Sequence, residues 1–119
     1  MVLVDTSVWV THFRKREDGL KALLEEGKVA CHPCIIGELA CGNLANRTEI
    51  LRLLQALPQA TVAEHEEVLR FLEINRLMGI GLGYVDVHLL ASARLSSVHL
   101  WTEDARLRGA AEKLGVAFR

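Results

Sequence analysis

The chain begins with an apolar run, Val2-Leu3-Val4, interrupted by Asp5, Thr6 and Ser7 before Val8, Trp9 and Val10 resume the apolar pattern. A short continuous apolar run predicts a strand buried on both faces, with Asp5 at its end. Ser7 is a candidate cap for a short helix reaching about Arg14. A second helix, over about 18–26, stops at Gly27. Residues 28–31 (KVAC) read as a second strand, and Pro33 suits the first turn of a helix to about Leu44. Thr48 before EILRLLQAL predicts a capped helix ended by Pro58. Residues 60–62 (ATV) read as a third strand. The clearest helical period spans 64–78, with Val68, Leu72 and Met78 near one side. GIGLG (79–83) is a loop, followed by a helix from about Tyr84 to Leu95. SVHLW (97–101) predicts a strand, residues 104–115 a helix, and VAF (116–118) a last strand. Strands alternating with helices predict an α/β fold with a parallel sheet covered on both faces.

Composition narrows this further. A length of 119 residues suits one domain, 1–119. Half the residues are hydrophobic and 24% are charged, which is not the composition of a disordered chain. The formal net charge of −1 excludes a strongly basic coat for nucleic acid, while leaving room for a local basic patch or a metal-mediated grip on phosphate. Asp5 comes too early for a signal peptide. No apolar stretch approaches the roughly 18–20 residues of a membrane span. An odd cysteine count, Cys31, Cys34 and Cys41, then points to free thiols in the cytoplasm.

The carboxylates carry the candidate chemistry. In open parallel sheets, ligands sit beyond the carboxyl ends of strands. Asp5 ends the first predicted strand, and Thr102, Glu103 and Asp104 follow SVHLW. If those two strands are neighbours, Asp5 and Asp104 share a rim. On a helix, Glu38 has Cys34, Ile35, Cys41 and Gly42 at three and four residues, and Asp86 has Leu82, Gly83, Leu89 and Leu90. Neither has a cationic partner there. A lone carboxylate in such surroundings is costly unless protonated, paired or bound to a metal. The set suggests a shared Mg²⁺ or Mn²⁺, ions that favour oxygen ligands. Each acid alone has an ordinary alternative: Asp5 or Asp104 as a cap, Glu38 at the edge of an exposed stripe, Asp86 favouring a helix amino terminus.

In their order, VLVDTSVWV, IIGELACG, GIGLGYVDVHLLASA and LWTEDARL resemble the PIN-domain ribonucleases, especially the VapC-type toxins of toxin–antitoxin pairs. The resemblance spans nearly the whole chain. It implies a three-layer fold, a twisted parallel sheet between helices. It also implies a catalytic metal site lined by Asp5, Glu38 and Asp86, with Asp104 as fourth member and Thr6, Ser7 and Thr102 steadying the carboxylates or a water. Glu103 is an acid the motif does not require. The implied activity is Mg²⁺- or Mn²⁺-dependent hydrolysis of RNA phosphodiesters, with one ion or two. The implied partners are an RNA substrate, a small antitoxin protein and a second copy in a homodimer.

The remaining features read more plainly. CHPC (31–34) with Cys41 lacks the second ligand pair of a structural zinc site, and His32 would point away along a strand, so packed thiols are expected. The five histidines form no His-x-x-x-His pair, and His88 lies off the face of Asp86. Arg14, Lys15 and Arg16 read as a solvated face or an RNA-backbone contact. Arg94, two turns past Asp86, is a similar candidate, as are Arg106 and Arg108. Trp9 and Phe13 fit core packing or an antitoxin-facing patch. Two other functions compete. A haloacid-dehalogenase-like phosphatase also starts from an aspartate ending the first strand, but it needs a second acid where Ser7 stands and a lysine that 91–104 lacks. A non-catalytic interaction module would use the acids only as caps.

Overall fold

A computed structural model describes residues 1–119. Three parallel strands form its sheet in the order β2-β1-β3: β1 (Val2–Val4), β2 (Val29–Ala30) and β3 (His99–Trp101). Leu3 lies opposite Ala30 on one side and Leu100 on the other, and Val4 lies opposite Trp101. Successive strand residues face opposite ways, yet Val2, Leu3 and Val4 are all buried. The sheet is therefore covered on both faces, as the unbroken apolar run predicts.

Seven helices supply the cover: α1 (Thr6–Lys15), α2 (Asp18–Glu25), α3 (Pro33–Ala40), α4 (Arg47–Ala56), α5 (His65–Ile74), α6 (Tyr84–Ser96) and α7 (Ala105–Lys113). Residues Val87 to Ala93 of α6 are buried all round, so this helix is a core element packed on β3 and α5 rather than an amphipathic cover. A continuous core of 26 buried residues joins the strands to the helices.

The two predicted outer strands shrink to single bridges. Cys31 donates its N–H to Pro58 O at 2.8 Å and accepts from Ala60 N at 2.8 Å, which pairs Cys31 with Gln59. Beyond that point the backbone N–H groups of Thr61 and Ala63 bond the hydroxyls of Ser96 and Ser92 on α6, so 60–62 do not continue a ladder. At the other edge, Leu100 bridges Ala117, and 116–118 go no further.

Several helix ends also differ from expectation. Asp5, not Ser7, stands at the N-cap position of α1, and Ser7 lies inside the first turn. Asn46, in a left-handed conformation (φ 54°), precedes α4, so the helix starts before Thr48. Helix α3 ends at Ala40, short of Leu44. Helix α5 ends at Ile74, where the Asn75 side chain bonds Phe71 O at 2.9 Å and Arg76 turns left-handed (φ 51°). Val68 is buried and Leu72 half-buried, but Met78 lies past the helix and is exposed.

Candidate active site

Strands β1 and β3 are neighbours in parallel register, so the residues that leave their carboxyl ends meet at one rim. Asp5 is buried there, with Oδ2 accepting from Thr102 Oγ1 at 2.8 Å and from Ser7 Oγ at 2.9 Å. The same hydroxyls order the following loop. Glu103 N donates to Ser7 Oγ at 3.0 Å, and Asp104 N donates to Thr102 Oγ1 at 3.1 Å. Ser7 occupies the place where the phosphatase alternative needs an acid, and its hydroxyl is committed to Asp5.

Three other acids reach the site from helices. Asp104 caps α7, with Oδ1 accepting from Leu107 N at 2.9 Å. Asp86 lies in the first turn of α6, with Oδ2 accepting from Gly83 N at 3.0 Å. Burial pushes the Asp86 carboxyl above its ordinary value; the Gly83 N–H opposes this, and the negative charges of Asp5 and Asp104 add to it. The three aspartates therefore share one field. Glu38, on α3, accepts from Thr6 Oγ1 at 2.7 Å and is thereby tied to the residue after Asp5. It is exposed, so the costly burial expected of Glu38 does not arise. The half-buried Asp86 does fit that expectation.

Asp86 and Asp104 do serve as helix-end acceptors, as the plain reading allowed. Each of the four carboxylates nevertheless engages only one oxygen: Asp5 Oδ2, Glu38 Oε1, Asp86 Oδ2 and Asp104 Oδ1. None forms an ion pair with lysine or arginine; the salt bridges all lie elsewhere on the surface. Hard oxygen donors, unneutralised charge and the shared field of the three aspartates suit a hard divalent cation. Mg²⁺ needs only one or two direct carboxylates because it retains waters.

The basic candidates separate. Exposed Arg14 and Lys15 line a polar recess with Thr11 and Glu103, and Thr11 Oγ1 donates to Glu103 Oε1 at 2.7 Å, so this recess adjoins the acid rim. Arg94 lies at the far end of α6, about 12 Å along the helix from Asp86. Its guanidinium donates to Leu114 O at 2.8 Å and sits over the Phe71 ring, so it holds the end of α7 and does not face the carboxylates. Arg108 similarly bonds Thr102 O at 3.2 Å.

One feature is absent from the sequence pattern, and a second is legible there only in Trp9 and Phe13. His32 does not point away: it is fully buried, and its Nδ1 accepts from Cys34 N at 3.0 Å at the start of α3. Burial, helped by the nearby His88, pulls its pKa down to about 4. His32, Cys34 and His88 place potential ligand atoms within 4.8 Å of one another. The 53 residues between Cys34 and His88 hid this; a histidine just before the helix-starting Pro33 was the available clue. The second feature is an apolar groove between α1, α2 and α4, where Trp9, Phe13, Leu24, Ile50, Leu53 and Leu57 form the walls. Trp9 is buried and stacks on Phe13 at 5.7 Å, so both core packing and an exposed apolar patch are present.

Comparison with known proteins agrees with this architecture. The PIN domain family model matches residues 2–113. Ribonuclease VapC32 of Mycobacterium tuberculosis, from strains CDC 1551 / Oshkosh and H37Rv, is 47% identical over 118 residues, covering 98% of this chain and 95% of the relative. Among solved structures, PAE2754 from Pyrobaculum aerophilum superposes with a TM-score of 0.69 at 19% identity, over 98% of this chain and 87% of that one. FitAB bound to an IR36 DNA fragment gives 0.62 at 15% identity, over 98% and 92%. At such identities the two structures attest the fold alone. With the family model spanning almost the whole chain and a near full-length relative sharing almost half its residues, this chain belongs to the PIN-domain family, in its VapC branch.

Proposed function

We propose that this single domain is a Mg²⁺- or Mn²⁺-dependent endoribonuclease that hydrolyses RNA phosphodiesters as the toxin of a type II toxin–antitoxin system. Asp5, Glu38, Asp86 and Asp104 are its catalytic and metal-holding residues. The observation that carries the reading is the set of four carboxylates, each with one oxygen free of hydrogen bonds and none paired with a cation. The VapC32 relative is named a ribonuclease, which supports RNA as the substrate.

A bound divalent cation would supply Lewis acidity, lowering the pKa of a water and offsetting charge on the scissile phosphate. The chain's own part is positional. Thr102 and Ser7 hold Asp5 Oδ2, which fixes the carboxylate plane and leaves Oδ1 presented. Thr6 fixes Glu38 in the same way, and the Gly83 N–H fixes Asp86. Exposed Glu38 and Asp104 open the site to a strand of RNA. Arg14 and Lys15, in the recess beside Glu103, are placed to contact its backbone.

The partner part of the proposal is an antitoxin seated in the groove of Trp9, Phe13, Leu53 and Leu57, whose apolar lining suits an amphipathic helix. A homodimer completes it, supported by the exposed apolar side chains Ile74, Met78 and Ile80. No helix is long and apolar enough to cross a membrane, and a cytoplasmic location accords with the free cysteines.

The test is cleavage of structured RNAs by purified protein with Mg²⁺ or with EDTA, beside Asp5→Asn and Asp86→Asn. Cleavage should require Mg²⁺ and vanish in both variants. Cleavage that persists in EDTA, or in both variants, would refute the reading.

A further inference from the structure

We propose that His32, Cys34 and His88 form a second metal site, specific for a thiophilic ion such as Zn²⁺ or Co²⁺, that joins the start of α3 to α6 and leaves one coordination position open. The inference does not rest on the nuclease reading.

The three side chains offer two imidazole nitrogens and a thiol whose atoms all lie within 4.8 Å of one another. A tetrahedral zinc site spaces its ligand atoms about 3.5 Å apart, so the cluster must close by about 1 Å. Cys34 is a free, half-buried thiol in the first turn of α3.

The state of His88 is the independent sign. Its side chain is buried, 8% exposed, and neither Nδ1 nor Nε2 has a hydrogen-bond partner. A neutral imidazole carries one donor and one acceptor, and burying both unpaired is costly. Its ring packs edge-on against His32 at 4.9 Å and against Tyr84 at 5.7 Å, neither of which satisfies those atoms. An ion on one nitrogen would remove half of that deficit.

His32 has both ring nitrogens engaged, and coordination would exchange one of those bonds for a bond to the ion. Its Nδ1 accepts from Cys34 N, so Nε2 carries the proton and donates to Ser92 Oγ at 3.1 Å. Metal-bound histidines characteristically donate their second N–H in this manner. Its low pKa keeps the ring neutral at pH 7. The lone pair at Nδ1 faces Cys34, and binding an ion there would give up only the Cys34 N–H bond. The Cys34 thiol proton would leave to solvent as the sulfur–metal bond forms. One thiolate and two imidazoles favour Zn²⁺ or Co²⁺, whereas the four carboxylates favour Mg²⁺ or Mn²⁺, so the two sites would sort ions by hardness. Three protein ligands leave the fourth tetrahedral position for water or an outside ligand.

The experiment titrates Co²⁺ into the full chain, stripped with chelator and then held in excess Mg²⁺ to occupy the carboxylates. The expected result is one equivalent of Co²⁺ with tetrahedral d–d bands and a thiolate-to-cobalt charge-transfer band, both discharged by Zn²⁺. Cys34→Ser should abolish the charge-transfer band, His88→Gln should weaken Co²⁺ binding by at least about tenfold, and Cys41→Ser should change neither. Absence of the band, its survival in Cys34→Ser, or its loss in Cys41→Ser would overturn the proposal. Should His88→Gln fail to fold, Cys34→Ser decides alone, since it alters one half-exposed atom.

Discussion

The Thr102 hydroxyl donates to Asp5 Oδ2 at 2.8 Å, and the two residues leave the neighbouring strands β3 and β1 at the same rim. Thr102 is buried, and its oxygen also accepts from Asp104 N. It therefore orders one acid directly and another through the backbone. Thr102→Val keeps the shape and removes both bonds. The expected loss is about 1–3 kcal/mol in urea unfolding and about 10- to 100-fold in RNA cleavage. Thr102→Ser should retain both properties. A valine variant equal to wild type in stability and cleavage would show that the hydroxyl does not organise the site.

Asp86 should make the metal-free protein less stable as pH rises. Its folded-state pKa lies above the ordinary value of 3.8, chiefly through burial and then through the charges of Asp5 and Asp104. Between those two values the folded state binds more protons than the unfolded state, so stability falls with rising pH across that window and stays level above it. Asp86→Asn can still accept from Gly83 N but carries no charge. In EDTA, the asparagine variant should gain on wild type between pH 3 and pH 7 in urea titrations. Added Mg²⁺ should stabilise wild type at pH 7 by binding the folded state, and stabilise the variant less. Equal pH profiles would remove the shared field.

Much of this site was legible in the sequence because strand ends are marked by abrupt polarity changes. VLV followed by Asp5, and HLW followed by Thr102, gave both the strands and the acids at their ends. What the pattern could not supply was the pairing of β1 with β3, since partners such as Val4 and Trp101, 97 apart in sequence, meet only through the fold. The hydroxyl network followed the same limit: Ser7 looked like a cap and is instead a donor to Asp5. Edge strands were overread at 60–62 because an apolar triplet is ambiguous, and hydroxyls of α6 took the backbone bonds a ladder would need. Helical spacing gives direction but not distance along the axis, so the pattern alone does not show that Arg94 is engaged with Leu114 O and Phe71.

Arg14 and Lys15 should bind RNA while Arg94 should not. The first two are exposed in the recess beside Glu103, whereas Arg94 is engaged with Leu114 O and Phe71. Arg14→Ala with Lys15→Ala should raise KM, leave kcat near wild type, and flatten the salt dependence of RNA binding by about 1.4 in log–log slope if each side chain meets one phosphate. Arg94→Ala should lower thermal stability and leave KM unchanged. An increase in KM from the Arg94 variant, with none from the double variant, would reverse the assignment.

The groove between α1, α2 and α4 should be separable from catalysis. Leu53 is 51% exposed on its wall, so an aspartate there stays solvated in the free protein and costs little stability. Covered by an apolar helix, the same carboxylate would be buried without a partner. Leu53→Asp should therefore cleave RNA at the wild-type rate while resisting the proposed antitoxin protein. Losing a central apolar contact of about 2 kcal/mol corresponds to roughly a 30-fold rise in the concentration needed to silence cleavage. Titrating that protein against both forms in one RNA-cleavage assay measures the ratio. Equal neutralisation of the two would place the antitoxin elsewhere, and a matching loss of cleavage would place Leu53 in the catalytic machinery instead.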